Sequence, residues 1–367
     1  MTARADRELM ARALELAELG LYTTTPNPRV GCVIARDGRV LGEGWHERAG
    51  EAHAEVRALA DARARGHEPR GATAYVTLEP CNHHGRTPPC TDALLAAGIA
   101  RVVAAMRDPY LPAGSGADRL RAAGVTVEIG LLEKEARELN LGWIKCVQTG
   151  RPWLRVKIAA SLDGRTALQN GTSQWITGPL ARADGHRWRA RACAILTGIG
   201  TVRQDDPQLT VREVETLRQP LKVIVDRHGE LPVTARVLAG GEVIVITATP
   251  PRVKWPPHVQ TLTLPDRDGR IDLGAMLDAL GGRAINEVHV EAGAKLNGAL
   301  LAAGLVEELL LYLAPCLLGD SARGMFDLPA ALTTLDERVR VQIRSVEPVG
   351  EDWRILARVE SGPPWNL

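Results

Sequence analysis

The chain is poor in aromatic residues: Phe, Trp and Tyr supply 4% of 367 positions, and Phe326 is the single phenylalanine. Stacking on unpaired bases needs rings, and tracking a phosphate backbone needs a strong positive field. That field is missing too, since 45 basic residues face 44 acidic ones for a net charge of +1. These shortages argue against a nucleic-acid partner. No apolar run has membrane-spanning length, the longest lying around Leu309 to Ala314, so no membrane association is expected. Met1 to Met10 mixes Arg, Asp and Glu with Ala and has no apolar centre of an export signal, which makes a cytoplasmic location the expectation. The cysteines at 32, 81, 90, 146, 193 and 316 are then not a disulfide framework. Four of them sit among apolar or small residues and read as buried hydrophobes. Cys81 and Cys90 differ, standing among prolines, histidines and glycine.

The length suits two domains, and 45% apolar residues is enough to build a core in each. Residues 7–20 carry apolar positions at helical spacing and stop at Gly20. Residues 30–45 form two β-rich runs around Asp37-Gly38, a hairpin signal. A helix over 52–65, a strand over 74–78, a helix over 91–97 and a strand over 101–105 follow, then a strand over 124–129 and a helix over 132–141. Such alternation predicts an α/β fold with a largely parallel sheet. Punctuation by QTGRP puts a boundary near 147–152, dividing the chain into domains 1–147 and 150–367. The second restarts with the strand RVKIAASLDG, and strand candidates recur at 193–197, 221–226, 242–247, 286–291 and 308–315. The Pro-rich stretch 248–270 reads as a connecting excursion.

His53-Ala54-Glu55 and the loop from Glu79-Pro80-Cys81 to Cys90 carry the clearest chemistry. One imidazole nitrogen and two thiolates leave the fourth tetrahedral position of Zn²⁺ open, as a catalytic site requires. Zinc brings the pKa of a bound water to roughly 7. Glu55, two residues past the histidine, can then serve as proton carrier without ligating the metal. The order H-x-E…P-C…C is a zinc-deaminase signature, although its usual spacing between the cysteines is two residues. Here Asn82 to Pro89 intervene. A closed zinc knot using His83 or His84 is the competing reading, but it leaves Glu55 unexplained.

The blocks TPNPRVGCVIA (25–35), GEAHAEV (50–56) and EPCNHHGRTPPC (79–90) together resemble the deaminase half of the bifunctional deaminase/reductases of riboflavin biosynthesis. The resemblance implies a cytidine-deaminase-like three-layer sandwich acting on 2,5-diamino-6-(5-phosphoribosylamino)pyrimidin-4-one. It also implies that Asn27, His46, His83 and Arg86 contact this substrate. Their types fit, because asparagine pairs with a ring edge while arginine and histidine suit a phosphate. Arg86 stands where relatives often have lysine, which keeps the charge and changes its geometry.

In the second half KIAASLDG (157–164), SQWIT (173–177), the run 197–212 and VEAG (290–293) resemble the reductase half of the same family, with a dihydrofolate-reductase-like fold. The implied activity is NADPH-dependent reduction of the ribosyl group to ribityl. The resemblance assigns Ala159, Trp175, Thr201, Asp205, Gly293, Ala294, Lys295, Leu296, Asn297, Gly298 and Ala299 to NADPH. It assigns Ser173, Arg189, Leu209, Arg212 and Glu291 to the substrate, with Lys157 and Asp163 as polar partners of the opened sugar. Arg227, after the strand KVIVD, is expected to reach the cofactor's 2′-phosphate. Glycines at Gly198–Thr201 and at Gly293, each placed between a strand and a helix, also let backbone amides face a phosphate. Because related enzymes are oligomeric, a homo-oligomer (dimer or tetramer) is expected. The main alternative is a deaminase acting on nucleic acid, similar to the tRNA adenosine deaminases, joined to an unrelated C-terminal module. A third reading is a zinc-stabilised scaffold without activity, against which the intact His53, Glu55, Cys81 and Cys90 speak.

Overall fold

Asp37 and Gly38 both take positive φ, 53° and 78°. Such a turn matches the twist of the strands it joins. It links β1 (Gly31–Arg36) to β2 (Arg39–Trp45) as an antiparallel pair. The computed structural model describes residues 3–360, and the chain separates into two units after Thr149.

In the first unit β1 also pairs antiparallel with β3 (Thr73–Val76), beyond which β4 (Arg101–Ala104) and β5 (Thr126–Ile129) run parallel. The sheet order is β2-β1-β3-β4-β5. Helix α1 (Ala3–Glu18) buries Leu9, Met10, Ala13 and Leu16 on one stripe, the spacing read from the sequence. Helix α2 (Ala54–Ala64) lies on β2 so closely that a Cβ on Gly44 would stand 2.5 Å from the Ala58 amide nitrogen. Helix α3 (Cys90–Ala96) follows the long loop. Two helices were not foreseen. One is α4 (Gly116–Ala122), a short element whose start is capped by Ser115 Oγ, which accepts the Asp118 amide at 3.2 Å. After α5 (Glu133–Leu139) comes the other, α6 (Leu141–Thr149), which carries the helical backbone past position 147.

The second unit centres on a nine-stranded sheet. Its elements are β6 (Trp153–Ser161), β7 (Arg165–Ala167), α7 (Pro179–Arg191), β8 (Ala194–Gly198), α8 (Ile199–Asp205), β9 (Leu221–Val225), β10 (Val243–Thr247), β11 (Val259–Thr263), α9 (Leu273–Gly281), β12 (Glu287–Val290), α10 (Ala294–Ala302), β13 (Glu308–Ala314), β14 (Arg323–Gly324), β15 (Val341–Val349) and β16 (Asp352–Val359). Strands lie in the order β11-β10-β9-β8-β12-β6-β13-β16-β15, while β14 pairs with β7. All neighbours from β11 to β13 are parallel, and β16 and β15 add an antiparallel edge. Strand β10 is buried at every position, as expected of a parallel strand covered on both faces. The Pro-rich stretch contains β11, an edge strand with one partner and no fully buried residue, so its apolar signal is weak. Among the described residues no helix is long and apolar enough to cross a membrane.

Candidate functional site

His53 takes extended angles (φ −72°, ψ 165°) as the residue capping α2, and Glu55 falls in that helix's first turn. Cys90 opens α3, and Cys81 lies on the loop after β3. The donor atoms of His53, Cys81 and Cys90 all lie within 4.8 Å of one another. His53 Nδ1 is 3.2 Å from Cys90 Sγ and 3.6 Å from Cys81 Sγ. Thr87 Oγ1, 3.4 Å from Nε2, orients the ring from the other side. His83 and His84 are outside this three-donor cluster. One nitrogen, two sulfurs and a separate buried carboxyl fit a zinc ion with one position open.

The electrostatics prepare the ligands. The Cys81 thiol is drawn down to about 4, chiefly by a hydrogen bond from the Cys90 side chain. That same bond and burial push Cys90 up. Without metal the two sulfurs therefore hold one proton between them, and binding a metal releases it. The Cys90 amide donates to Cys81 Sγ at 3.4 Å, so the start of α3 supports the thiolate. Glu55 is 3% exposed, and burial raises its carboxyl.

His46 lies edge-on to His53, ring centroids 5.2 Å apart. Its Nδ1 donates to the Ala52 carbonyl at 3.2 Å, and Asn27 Nδ2 donates to its Nε2 at 3.0 Å. Burial lowers its pKa, which keeps this neutral tautomer. His83 meets Tyr110 edge-on at 6.2 Å, and the exposed Arg86 runs alongside Gly50.

Several residues here escaped the sequence reading. Glu79 is buried and accepts from the amides of Ala117 (2.9 Å) and Asp108 (3.3 Å) and from Ser115 Oγ (3.4 Å). Asn82 Oδ1 accepts from Arg119 Nη1 (2.7 Å) and Thr91 Oγ1 (3.2 Å), and Arg119 also pairs with Asp92. A Cβ on Gly116 would lie 1.7 Å from the Pro80 carbonyl oxygen. Helix α4 thus clamps both flanks of Cys81. Asp108 follows β4, and burial pushes it up to about 7, helped by the charges of Glu79, Cys81 and Glu55. Only the isolated TLEPC pattern could have hinted at Glu79; its partners lie on an element the periodicity did not reveal.

In the second unit the turns after β8 and β12, with Gly198 and Gly293, lie at the C-terminal ends of parallel strands, where open α/β sheets place ligands. Gly198 and Gly293 cap α8 and α10 without side-chain caps. The two turns are adjacent: Cβ atoms there would lie 3.4 Å from Leu296 Cδ2 and 4.0 Å from Thr201 Oγ1 respectively. Trp175 is 69% exposed, with the Arg182 guanidinium 4.6 Å from its ring centroid. Ser173 Oγ donates to Asp205 Oδ1 at 3.5 Å. Arg227 is exposed after β9, its Nε donating to the Gly269 carbonyl at 2.8 Å.

Glu291 anchors the other group. Arg189 holds it through two bonds, 2.5 and 2.8 Å, and donates to the Thr210 carbonyl at 3.1 Å. Lys157 lies 5.7 Å from the Tyr312 ring centroid, and burial lowers its pKa against the pull of Glu291. Arg212 is exposed and bonds Gln208 and Thr210. Four assigned residues make contacts within the fold. Asp163 accepts from Ser161 Oγ and the amides of Leu318 and Gly319. Leu209 is buried in a core cluster. Asn297 donates to the carbonyls of Ala292 and Met325, and Gly298 packs against the Asp327 backbone. Of the remaining assignments, Ala159 lies on β6 and Ala294, Lys295, Leu296 and Ala299 on α10.

Residues 3–106 match the family described as the cytidine and deoxycytidylate deaminase zinc-binding region, and residues 152–355 match the RibD C-terminal domain. The riboflavin biosynthesis protein RibD of Escherichia coli (strain K12) is 49% identical over 361 residues, which cover 95% of this chain and 97% of that protein. The Haemophilus influenzae protein of that name is 43% identical over 365 residues, covering 95% and 96%. Among solved structures, Acinetobacter baumannii RibD superposes with a TM-score of 0.88 at 43% identity, covering 98% of this chain and 99% of that one. A Thermotoga maritima deaminase/reductase superposes with 0.89 at 36% identity, covering 97% and 99%. Each relative spans both units, so the reading with an unrelated C-terminal module is not favoured. Three donors around an open metal position, a reductase-type sheet and likeness along nearly the whole length make this chain a member of the RibD family, the bifunctional deaminase/reductases of riboflavin biosynthesis.

Proposed function

We propose that the first unit hydrolytically removes the ring amine of 2,5-diamino-6-(5-phosphoribosylamino)pyrimidin-4-one, and that the second reduces the ribosyl group of the product to ribityl with NADPH. The observation carrying the first step is the cluster of His53, Cys81 and Cys90 beside the buried Glu55. Zinc held there supplies Lewis acidity that makes water nucleophilic near neutral pH. Glu55 takes the water's proton at its carboxylate and hands it to the departing amine, and burial favours its protonated form between the two events. Asn27 spends its Nδ2 on His46 and keeps Oδ1 for a ring N–H. His83 and Arg86 serve the substrate's phosphate.

In the second unit the adjacent starts of α8 and α10, with Thr201, receive the cofactor's phosphates, and Arg227 takes the 2′-phosphate. Trp175, Asp205 and the α10 residues line this side. Bound NADPH supplies the hydride. Lys157, Glu291 and Arg189 orient the opened sugar, while Ser173 and Arg212 hold its polar and phosphate ends. Asp163 and Leu209 shape the surrounding loops. No nucleic acid takes part, given the net charge of +1.

The protein works as a homo-oligomer in this reading. Strand β15 is exposed along nearly its whole length, with Val341, Ile343 and Val346 bare, and Trp353 of β16 is 48% exposed. Such an edge is a template for another chain. All six cysteines are free, in keeping with a cytoplasmic location.

Mass spectrometry of the diaminopyrimidinone ribosyl phosphate, incubated with and without NADPH, tests both steps. Exchange of amine for oxygen is expected without cofactor, and addition of two hydrogens only with it. Glu55→Gln is expected to keep zinc and the reduction of supplied product, and to lose deamination by roughly 10²- to 10⁴-fold. Loss of both activities in that variant would refute the division of labour.

A further inference from the structure

Helix α7 sets His186 one turn before Arg189, on the same side of the helix. The imidazole is 7% exposed. Its Nδ1 accepts the Arg212 backbone N–H at 3.2 Å, which places the ring proton on Nε2. No atom among the described residues accepts from that Nε2. The charged groups acting on the ring are Arg189, Arg212, Glu291 and Lys157; burial foremost, then the three basic groups, hold its pKa down to about 4 against the opposing pull of Glu291. The ring is thus a neutral donor inside a cluster of three basic groups and one carboxylate. The donors of Arg189 are turned to Glu291 and the Thr210 carbonyl. His186 Nε2 is left with a donor to give, on a ring that Arg189, Arg212 and Lys157 act on together.

We propose that His186 is a specificity residue of the reductase site: its Nε2–H donates to the phosphate of the ribosyl substrate while Nδ1 holds the Arg212 backbone in place. The excess of cationic groups suits a phosphate monoester, and a neutral N–H adds direction to that charge. The proposal rests on the second unit being a reductase of a phosphorylated sugar.

Asparagine and glutamine separate the two ring nitrogens, since the Asn amide superposes near Nδ1 and the Gln amide near Nε2. His186→Ala, His186→Asn and His186→Gln are made in the full chain, with thermal unfolding as the check on folding. The Ala and Asn variants are expected to raise KM for the deaminated ribosyl phosphate roughly 10- to 100-fold, with kcat and the KM for NADPH near those of the unaltered chain. His186→Gln is expected to retain most of the affinity. Inhibition by ribose 5-phosphate should weaken in the same order, while the weak inhibition by ribose stays the same in all four proteins. Rescue by Asn and not Gln would overturn the proposal, reducing His186 to a support for Arg212. Equal losses with ribose and ribose 5-phosphate would overturn the phosphate as acceptor. If the unaltered chain reduced nothing, the reductase reading itself would fall, an outcome distinct from either.

Discussion

Gly116→Ala tests whether α4 governs the metal centre. The added Cβ would sit 1.7 Å from the Pro80 carbonyl oxygen and 2.9 Å from its carbon. Both are backbone atoms, so no side chain can swing away, and the two segments must separate by more than an ångström. One relief is to lift the start of α4, which breaks the 2.9 Å bond from the Ala117 amide to Glu79. The other is to turn the Pro80 peptide, which moves Cys81 directly. Either way Cys81 leaves the position that puts its sulfur 3.6 Å from His53 Nδ1. Overpacking of this kind costs about 1–3 kcal/mol. Charged wholly to the metal-bound state, that is roughly a 5- to 150-fold loss of zinc affinity, at 1.4 kcal/mol per decade. Competition against a chelator of graded affinity measures it, with thermal unfolding of the zinc-free and zinc-loaded chain to divide the cost between folding and binding. Reduction of supplied product should be unchanged. Wild-type zinc affinity together with an unaltered melting temperature would show that α4 does not hold the loop as described.

Arg155 is 1% exposed between Glu308 (2.5 Å) and Glu287 (3.4 Å), so Arg155→Leu leaves the buried Glu308 to Arg358 at 4.0 Å and should cost about 3–5 kcal/mol in urea unfolding of the second unit. Arg227→Ala should raise the KM for NADPH about tenfold and leave that for NADH alone; equal effects on both would detach Arg227 from the 2′-phosphate. Burial lowers the pKa of both His186 and His289 below the ordinary 6.5, to about 4 for His186. The unfolded chain therefore binds protons first, and the second unit should lose stability as pH falls from about 6.5 towards 4. Urea midpoints at pH 7.5 and 5 check this, and His186→Gln should flatten the dependence.

The chemistry of the metal centre could be read along the chain because its signals are local. A histidine at a helix start with a glutamate two residues on, and Pro-Cys before a second helix, depend on neighbours in sequence and on backbone periodicity. The Asp37-Gly38 hairpin and the buried runs of β8, β9 and β10 were legible for the same reason. What remained hidden were pairings between distant segments. Helix α4 is seven residues long, and its hold on Glu79 and Asn82 exists only once β3 and β4 lie side by side. His186 resembled any helix histidine until folding brought the Arg212 amide to its Nδ1. The resemblance gave Arg189 to the substrate, yet folding brings Glu291, just past β12, to it across 102 positions of sequence. Side-chain type and spacing say which groups are able to bind a proton, a metal or a phosphate. Strand order and packing settle which of them are already occupied, because most donors in a folded interior pair with an acceptor brought close by the fold, wherever in the sequence that acceptor lies.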